Sequence, residues 1–261
     1  MFIFRKLITV FVPVLWLVVL ELIKSYPDFW CLILSLGIVV VAIGVWFLDF
    51  RRGRAMNEWL FSKDLWNLFA LPFVLMIGSA SVEMIVIGDF AFQSLAIFSA
   101  LALYLLTWQY DLYFNAPFRY RPYSLENLSW YLSLFCAFCI ASAGFGGLIL
   151  LQLNIWLVAL FMAPLFFILA YSFFWLHKIP WVESRAMVIV AVILSLELLA
   201  TLSFLPTGYY VDGLVMAVAL YLILGLLQSD SAGTLNSRRT AAYLIVAGVV
   251  LLAVLFTAQW Q

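Results

Sequence analysis

Two glutamates lie inside stretches that are otherwise apolar enough to sit in lipid. Glu83 occurs in SVEMIVIGD, residues 81–89, and Glu197 in LSLELLATL, residues 194–202. A charged side chain at the centre of a membrane helix costs about 2.5–3.5 kcal/mol on insertion scales, so such residues usually face the bundle interior and serve ion or proton pathways. Both are therefore candidates for a proton or cation relay, with Glu197 nearer mid-membrane. The alternative is a structural hydrogen bond between helices.

Hydroxyl groups close in sequence offer partners for these two carboxyl groups. Ser79 and Ser81 precede Glu83 by four and two residues, and three hydroxyl residues surround Glu197: Ser195, Thr201 and Ser203. We expect some of these hydroxyls to donate to the carboxyls, since a buried polar group is costly unless it is hydrogen-bonded.

Two aspartates follow the glutamate-bearing runs in the turns IGDF and YYVDG. These are Asp89 and Asp212, which together with the glutamates make one side of the predicted bundle acidic. An acidic vestibule can collect cations or hold a divalent metal that handles a phosphorylated lipid. Acidic residues that simply avoid the positively charged loops would give the same pattern. The sequence has no DxD, DDxxD or HExxH spacing, so we predict no metal site and no cofactor.

A polar segment between two apolar runs combines basic and aromatic residues. In QYDLYFNAPFRYRPYSLEN, Arg119 and Arg121 alternate with Phe118, Tyr120 and Tyr123. This composition suits anionic lipid headgroups or a phosphate, and ordinary anchoring at the membrane interface also produces it. Nothing in the sequence resembles a nucleic-acid-binding module.

The elements that must position these residues are membrane helices. The chain is 67% hydrophobic and 10% charged, with a mean hydropathy of +1.16, against about 25% charged residues in soluble domains. We predict an all-α transmembrane bundle in a single integral membrane domain, residues 1–261. Its nine spans are 7–23, 29–48, 65–87, 91–108, 128–151, 155–176, 186–205, 209–227 and 241–258, and the first is expected to be retained rather than cleaved.

Lysines and arginines predict the orientation. With the N-terminus inside, Lys24 is on the outer side and the other twelve of the 13 basic residues are on the inner side, as the positive-inside rule requires. The C-terminus is then outside. Short loops and this bias predict a bacterial plasma membrane protein.

A weak internal similarity suggests a tandem repeat. ALALYLL at 100–106 and AVALYLI at 217–223 each end a hairpin whose first helix carries a glutamate, over residues 65–111 and 186–230. In so apolar a sequence, chance similarity is the competing explanation.

Three functions fit these features. The leading hypothesis is a small-solute or ion- or proton-coupled carrier that uses Glu197 with help from Glu83. The second is a non-catalytic subunit or assembly factor, which has a membrane-protein partner. The third is an enzyme that acts on a lipid-linked substrate at the outer face with Asp89 and Asp212.

Overall fold

The computed structural model describes residues 2–25, 37, 44, 63–115 and 118–257, and this part of the chain contains helices and no strand. The helices, numbered here in chain order, are α1 (Phe2–Ser25), α2 (Lys63–Glu83), α3 (Asp89–Asn115), α4 (Ser124–Leu150), α5 (Ile155–Leu176), α6 (Trp181–Leu202), α7 (Tyr209–Ser231) and α8 (Ser237–Thr257). The all-helical prediction is confirmed for these residues. The predicted span at 29–48 lies outside them, except for helical Gly37 and Gly44.

Six of the described helical segments are long and apolar enough to cross a membrane by length and composition. These segments are Asp89–Tyr113, Ser124–Leu150, Ile155–Leu176, Trp181–Leu202, Tyr209–Ser231 and Ser237–Val254, and Phe69–Glu83 is a shorter apolar helix. The chain therefore has the helices of an integral membrane protein. The count of nine spans and the orientation of the termini stay predictions.

Several helices extend beyond the apolar runs that predicted them, whereas α2 ends at Glu83, before the predicted end at residue 87, and α5 has the predicted bounds. Helix α3 continues to Asn115 and α6 begins at Trp181, whereas the apolar runs ended at 108 and began at 186. The extra turns contain aromatic and polar residues that lower the hydropathy and do not interrupt a helix. Hydropathy thus located the apolar parts of these helices and missed their polar ends.

The chain divides into two compact units, Met1–Ser129 and Trp130–Gln261. In the first, α1, α2 and α3 pack on one another. Its core contains Trp16, Leu20, Leu71, Leu103 and Leu106, each fully buried. A short turn joins α2 to α3, and the carboxyl ends of α1 and α2 lie beside it, so these two helices run in the same direction.

In the second unit, α6 packs against α5 and α7, and α8 packs against α7. The boundary between the units falls within α4, and the part of α4 from Trp130 onward belongs to the second unit. This part contacts α5 through Trp130, whose ring centroid is 4.9 Å from that of Phe173. It also approaches α7 closely, because a Cβ atom placed on Gly213 would lie 2.9 Å from the backbone nitrogen of Ser142. Only a glycine allows two helix backbones to come this near.

Replacing Gly213 with alanine is expected to destabilise the second unit by about 1–3 kcal/mol, since the new methyl group meets backbone atoms of α4 that cannot move aside independently. The matched control is Gly208→Ala at the start of the same helix, where a Cβ would find nothing within 4 Å. Thermal unfolding of the purified chain in detergent measures the difference. Equal unfolding temperatures for the two variants would contradict this account of the α4–α7 contact.

Candidate functional site

The candidate site lies where α2 turns into α3, beside the end of α1. It is a cavity of about 180 Å³ lined by residues of all three helices: Ile23, Lys24, Glu83, Met84, Val86, Gly88, Asp89 and Phe92. Gly88 has a φ of 106°, which favours glycine and lets the chain reverse within a few residues. The turn thereby places Glu83, the last residue of α2, close to Asp89, the first residue of α3.

Glu83 is the exceptional side chain in this cavity. It is 4% exposed, and neither of its carboxyl oxygens has a hydrogen-bond partner among the protein groups of the described residues. Burying a polar group without a partner costs about 1–3 kcal/mol in proteins, and more if it is charged. A native fold retains such a group only where something outweighs the cost, and functional sites are the common case.

The serines that the sequence offered as partners for Glu83 do not contact it. The Ser79 hydroxyl donates to the carbonyl of Leu75 at 2.8 Å, and that of Ser81 donates to the carbonyl of Ile77 at 2.7 Å. Both hydroxyls donate to backbone carbonyls of their own helix four residues earlier, which is the usual behaviour of serine in an apolar helix. The expected hydrogen bonds to the carboxyl are therefore wrong.

Charged groups on α1 and α3 surround the cavity. Lys24 Nζ lies 2.7 Å from Asp89 Oδ1 and 4.9 Å from the centroid of the Phe92 ring. Glu21, one turn earlier on α1, accepts a hydrogen bond from the side-chain amide of Gln93. Its carboxyl is near enough to Glu83 for the two like charges to interact unfavourably. Among the described residues at this end of the unit, Lys24 thus pairs with Asp89, and Glu21 is bonded to Gln93.

Asp89, predicted as an acidic residue in a turn, forms this ion pair from an exposed position. Its side chain is 90% exposed and that of Lys24 is 33% exposed. Exposed ion pairs contribute about 0–1 kcal/mol because water screens them. The Lys24–Asp89 pair is therefore a weak contact that can open without unfolding the unit.

Glu197 lies on an exposed face of α6, in the second unit. No described helix of the second unit encloses its side chain, and its role as a relay group stays a prediction. Its neighbouring hydroxyls donate to the backbone: Thr201 to the carbonyls of Glu197 and Leu198, Ser195 to that of Ala191 and Ser203 to that of Ala200. None of these bonds reaches the Glu197 carboxyl.

Asp212 is buried in the first turn of α7, where it accepts a hydrogen bond from the Thr207 hydroxyl. This contact ties the α6–α7 turn to the helix that follows. Asp89 belongs to the first unit and Asp212 to the second. Among the described residues, no group of three or more His, Cys, Asp and Glu side chains is arranged to hold a metal ion.

Arg119 and Arg121 are exposed in the loop between α3 and α4. Ser124 lies at the start of α4, where a serine commonly caps a helix, but its hydroxyl donates to Gln109 Oε1 at 2.7 Å. The Tyr120 hydroxyl takes that position and accepts from the backbone N–H of Leu125 at 3.2 Å. The sequence gives no signal for a cap that comes from a tyrosine five residues away.

No protein-family model matches the sequence, and comparisons with curated proteins and with solved structures found no significant match.

Replacing Glu83 with methionine is expected to raise the free energy of unfolding by about 1–3 kcal/mol, because it exchanges an unpartnered buried carboxyl for an apolar chain of similar length. Glu197→Met, at an exposed position, should change it little. Denaturation of both variants in the same detergent at pH 8 tests this. A clear loss of stability in Glu83→Met would show that the carboxyl is a structural contact.

Proposed function

We propose that this protein is a membrane carrier for protons or small cations and that Glu83 is the group that takes up and releases the carried ion. The observation that supports the proposal best is the buried Glu83 carboxyl, which has no hydrogen-bond partner among the described protein groups and lines a cavity. A carboxyl that is already bonded to donors gains little from a proton or a cation. A carboxyl without such donors gains the full interaction energy with a proton or cation, so it binds that ion more favourably.

The surroundings of Glu83 support a positively charged substrate. The cavity volume of about 180 Å³ is enough for several water molecules, which an ion needs on its way to the carboxyl. Lys24, the basic residue that lines it, is held by Asp89 at 2.7 Å and shares its charge with that group. Among the described residues, Lys24 is therefore paired with Asp89 and Glu83 has no ion-pair partner.

The distribution of basic residues supports the membrane orientation and location proposed for the carrier. Twelve of the 13 basic residues lie on one side of the predicted threading, which favours a cytoplasmic N-terminus and a bacterial plasma membrane. In that orientation the Glu83 cavity opens near the outer face. Substrate exchange on that side would then need only the weak Lys24–Asp89 contact to open.

Proton or cation flux in proteoliposomes tests the proposal. Glu83→Gln keeps the size of the side chain and removes its ability to ionise, so flux is expected to fall at least tenfold. Glu83→Asp keeps the carboxyl and should retain part of the flux. A pH-sensitive dye inside the vesicles reports protons, and separate gradients of sodium and potassium report cations.

Glu197→Gln is the matched comparison, since it removes a carboxyl at the position aligned with Glu83 in the suggested repeat. We expect its flux to equal that of the unaltered protein. Loss of flux in Glu197→Gln with normal flux in Glu83→Gln would contradict the assignment to Glu83.

A second function, as a subunit of a larger membrane complex, is favoured by the position of Glu197. This carboxyl is exposed on α6, near exposed Val190, Ile193 and Leu194. A carboxylate on an apolar membrane surface is costly, and a partner helix with a basic or hydroxyl side chain would remove that cost.

If the chain is such a subunit, Glu197→Gln is expected to release a stoichiometric partner that co-purifies with the unaltered chain, without changing the folding of the chain itself. Retention of the same partner by the variant would contradict the role of Glu197.

A further inference from the structure

The loop between α3 and α4 presents two basic and two aromatic side chains outward. Phe118 is 101% exposed and Tyr123 is 70% exposed, and Arg119 and Arg121 are exposed beside them. This loop, defined here as residues 118–123, belongs to the first unit together with the end of α3 and the first turn of α4. It is remote in sequence from the residues of the Glu83 cavity.

Tyr120 fixes the shape of this loop from within. Its hydroxyl donates to Glu126 Oε2 at 2.9 Å and accepts from the Leu125 N–H at 3.2 Å. Its ring packs edge-to-face on Tyr113, with the centroids 5.0 Å apart. Burial raises the pKa of Tyr120, so the hydroxyl keeps its proton and remains a donor.

The backbone of the loop is also constrained. Tyr123 has a φ of 64°, in the left-handed region that non-glycine residues rarely occupy. Such a conformation persists where surrounding contacts determine it. The contacts here are the bond from the Ser124 N–H to the Arg121 carbonyl at 3.2 Å and that from the Asn127 N–H to the Tyr123 carbonyl at 3.0 Å. The backbone that carries Arg121 and Tyr123 is thus shaped before any ligand arrives.

The charge that the loop shows to its surroundings is positive. The two nearest carboxylates in sequence, Asp111 and Glu126, are half-buried, whereas both guanidinium groups are exposed. Glu126 is further occupied by the hydrogen bond from Tyr120. Two arginines two residues apart, with no carboxylate exposed within the loop, make a local site for an anion.

The position of the loop identifies the source of that anion. The loop connects two segments that are able to span a membrane, Asp89–Tyr113 and Ser124–Leu150, so it lies at the level of the lipid headgroups. An entirely exposed phenylalanine is unfavourable in water and favourable in the interfacial region, where tyrosine is also enriched. Arginine forms paired hydrogen bonds with phosphate oxygens.

We propose that loop 118–123 is a preformed binding site for an anionic phospholipid headgroup. Arg119 and Arg121 bind the phosphate, and Phe118 and Tyr123 insert beside it. Tyr120 is a positioning residue that holds the loop in shape and does not contact the lipid.

The test compares the binding of two lipids to the full-length chain in detergent. Native mass spectrometry measures the dissociation constants of short-chain phosphatidylglycerol and short-chain phosphatidylcholine. The double variant Arg119→Gln, Arg121→Gln is expected to bind phosphatidylglycerol on the order of tenfold more weakly or worse, because both charge-assisted contacts are lost. Its binding of phosphatidylcholine should change less.

Arg238→Gln, Arg239→Gln is the matched control. These two arginines are also exposed and adjacent in sequence, and they lie in the first turn of α8. The control removes the same charge, so it should lower the affinity for phosphatidylglycerol by no more than about twofold if the loop is a specific site. If the two double variants lost affinity for phosphatidylglycerol equally, the loss would follow from net charge alone, and the proposal would be overturned.

Tyr120→Phe tests the preformed shape. It removes the hydroxyl that contacts Glu126 and Leu125, and it keeps the ring and both arginines. We expect a weaker preference for phosphatidylglycerol over phosphatidylcholine, with the unfolding temperature reported alongside. An unchanged preference would refute the positioning role.

Competition with inorganic phosphate tests whether the anion is a lipid. Displacement of the lipid by inorganic phosphate at constant ionic strength would show a site for a free anion and would overturn the assignment to a lipid.

Discussion

One unfavourable interaction sets the chemistry of the first unit: the Glu83 carboxyl is buried without a hydrogen-bond partner among the described residues. Apolar contacts of α1, α2 and α3 are strong enough to hold it, since the core of this unit includes fully buried Trp16, Leu71 and Leu103. The turn at Gly88 brings the carboxyl ends of α1 and α2 to the start of α3. A cavity of about 180 Å³ remains there, lined by residues of all three helices.

The two glutamates show why the environment of a residue decides its chemistry. Both occur in apolar runs, and their nearby hydroxyls bond to the backbone in both cases. Glu83 ends its helix against two neighbouring helices and is enclosed. Glu197 lies five residues before the end of α6, on a face that no described helix covers. A proton or cation carrier is the function that suits the first position, and a protein contact within the membrane suits the second.

Sequence patterns predicted where the helices lie better than they predicted which side of each helix is buried. Residues 155–176 were predicted to be a span, and α5 has those bounds, because Asn154 caps its start through a bond to the Trp156 N–H at 3.0 Å. The inward side of α6 could not be predicted, since its polar residues do not gather on one face and periodicity carries little information there. Nor does local sequence show that Lys24 meets Asp89 or that Tyr120 caps α4. These contacts depend on tertiary packing, or on a loop conformation with an unusual φ. The suggested repeat stays a prediction, with its two glutamates in different surroundings.

Infrared difference spectroscopy of the purified protein tests the central claim most directly. When pH is changed across the neutral range, a carboxyl that exchanges a proton inside the protein gives a C=O stretching band that appears or disappears. The account predicts such a band in the unaltered chain and in Glu197→Gln, and its loss in Glu83→Gln. A band that persists in Glu83→Gln, or one that is lost only in Glu197→Gln, would contradict it.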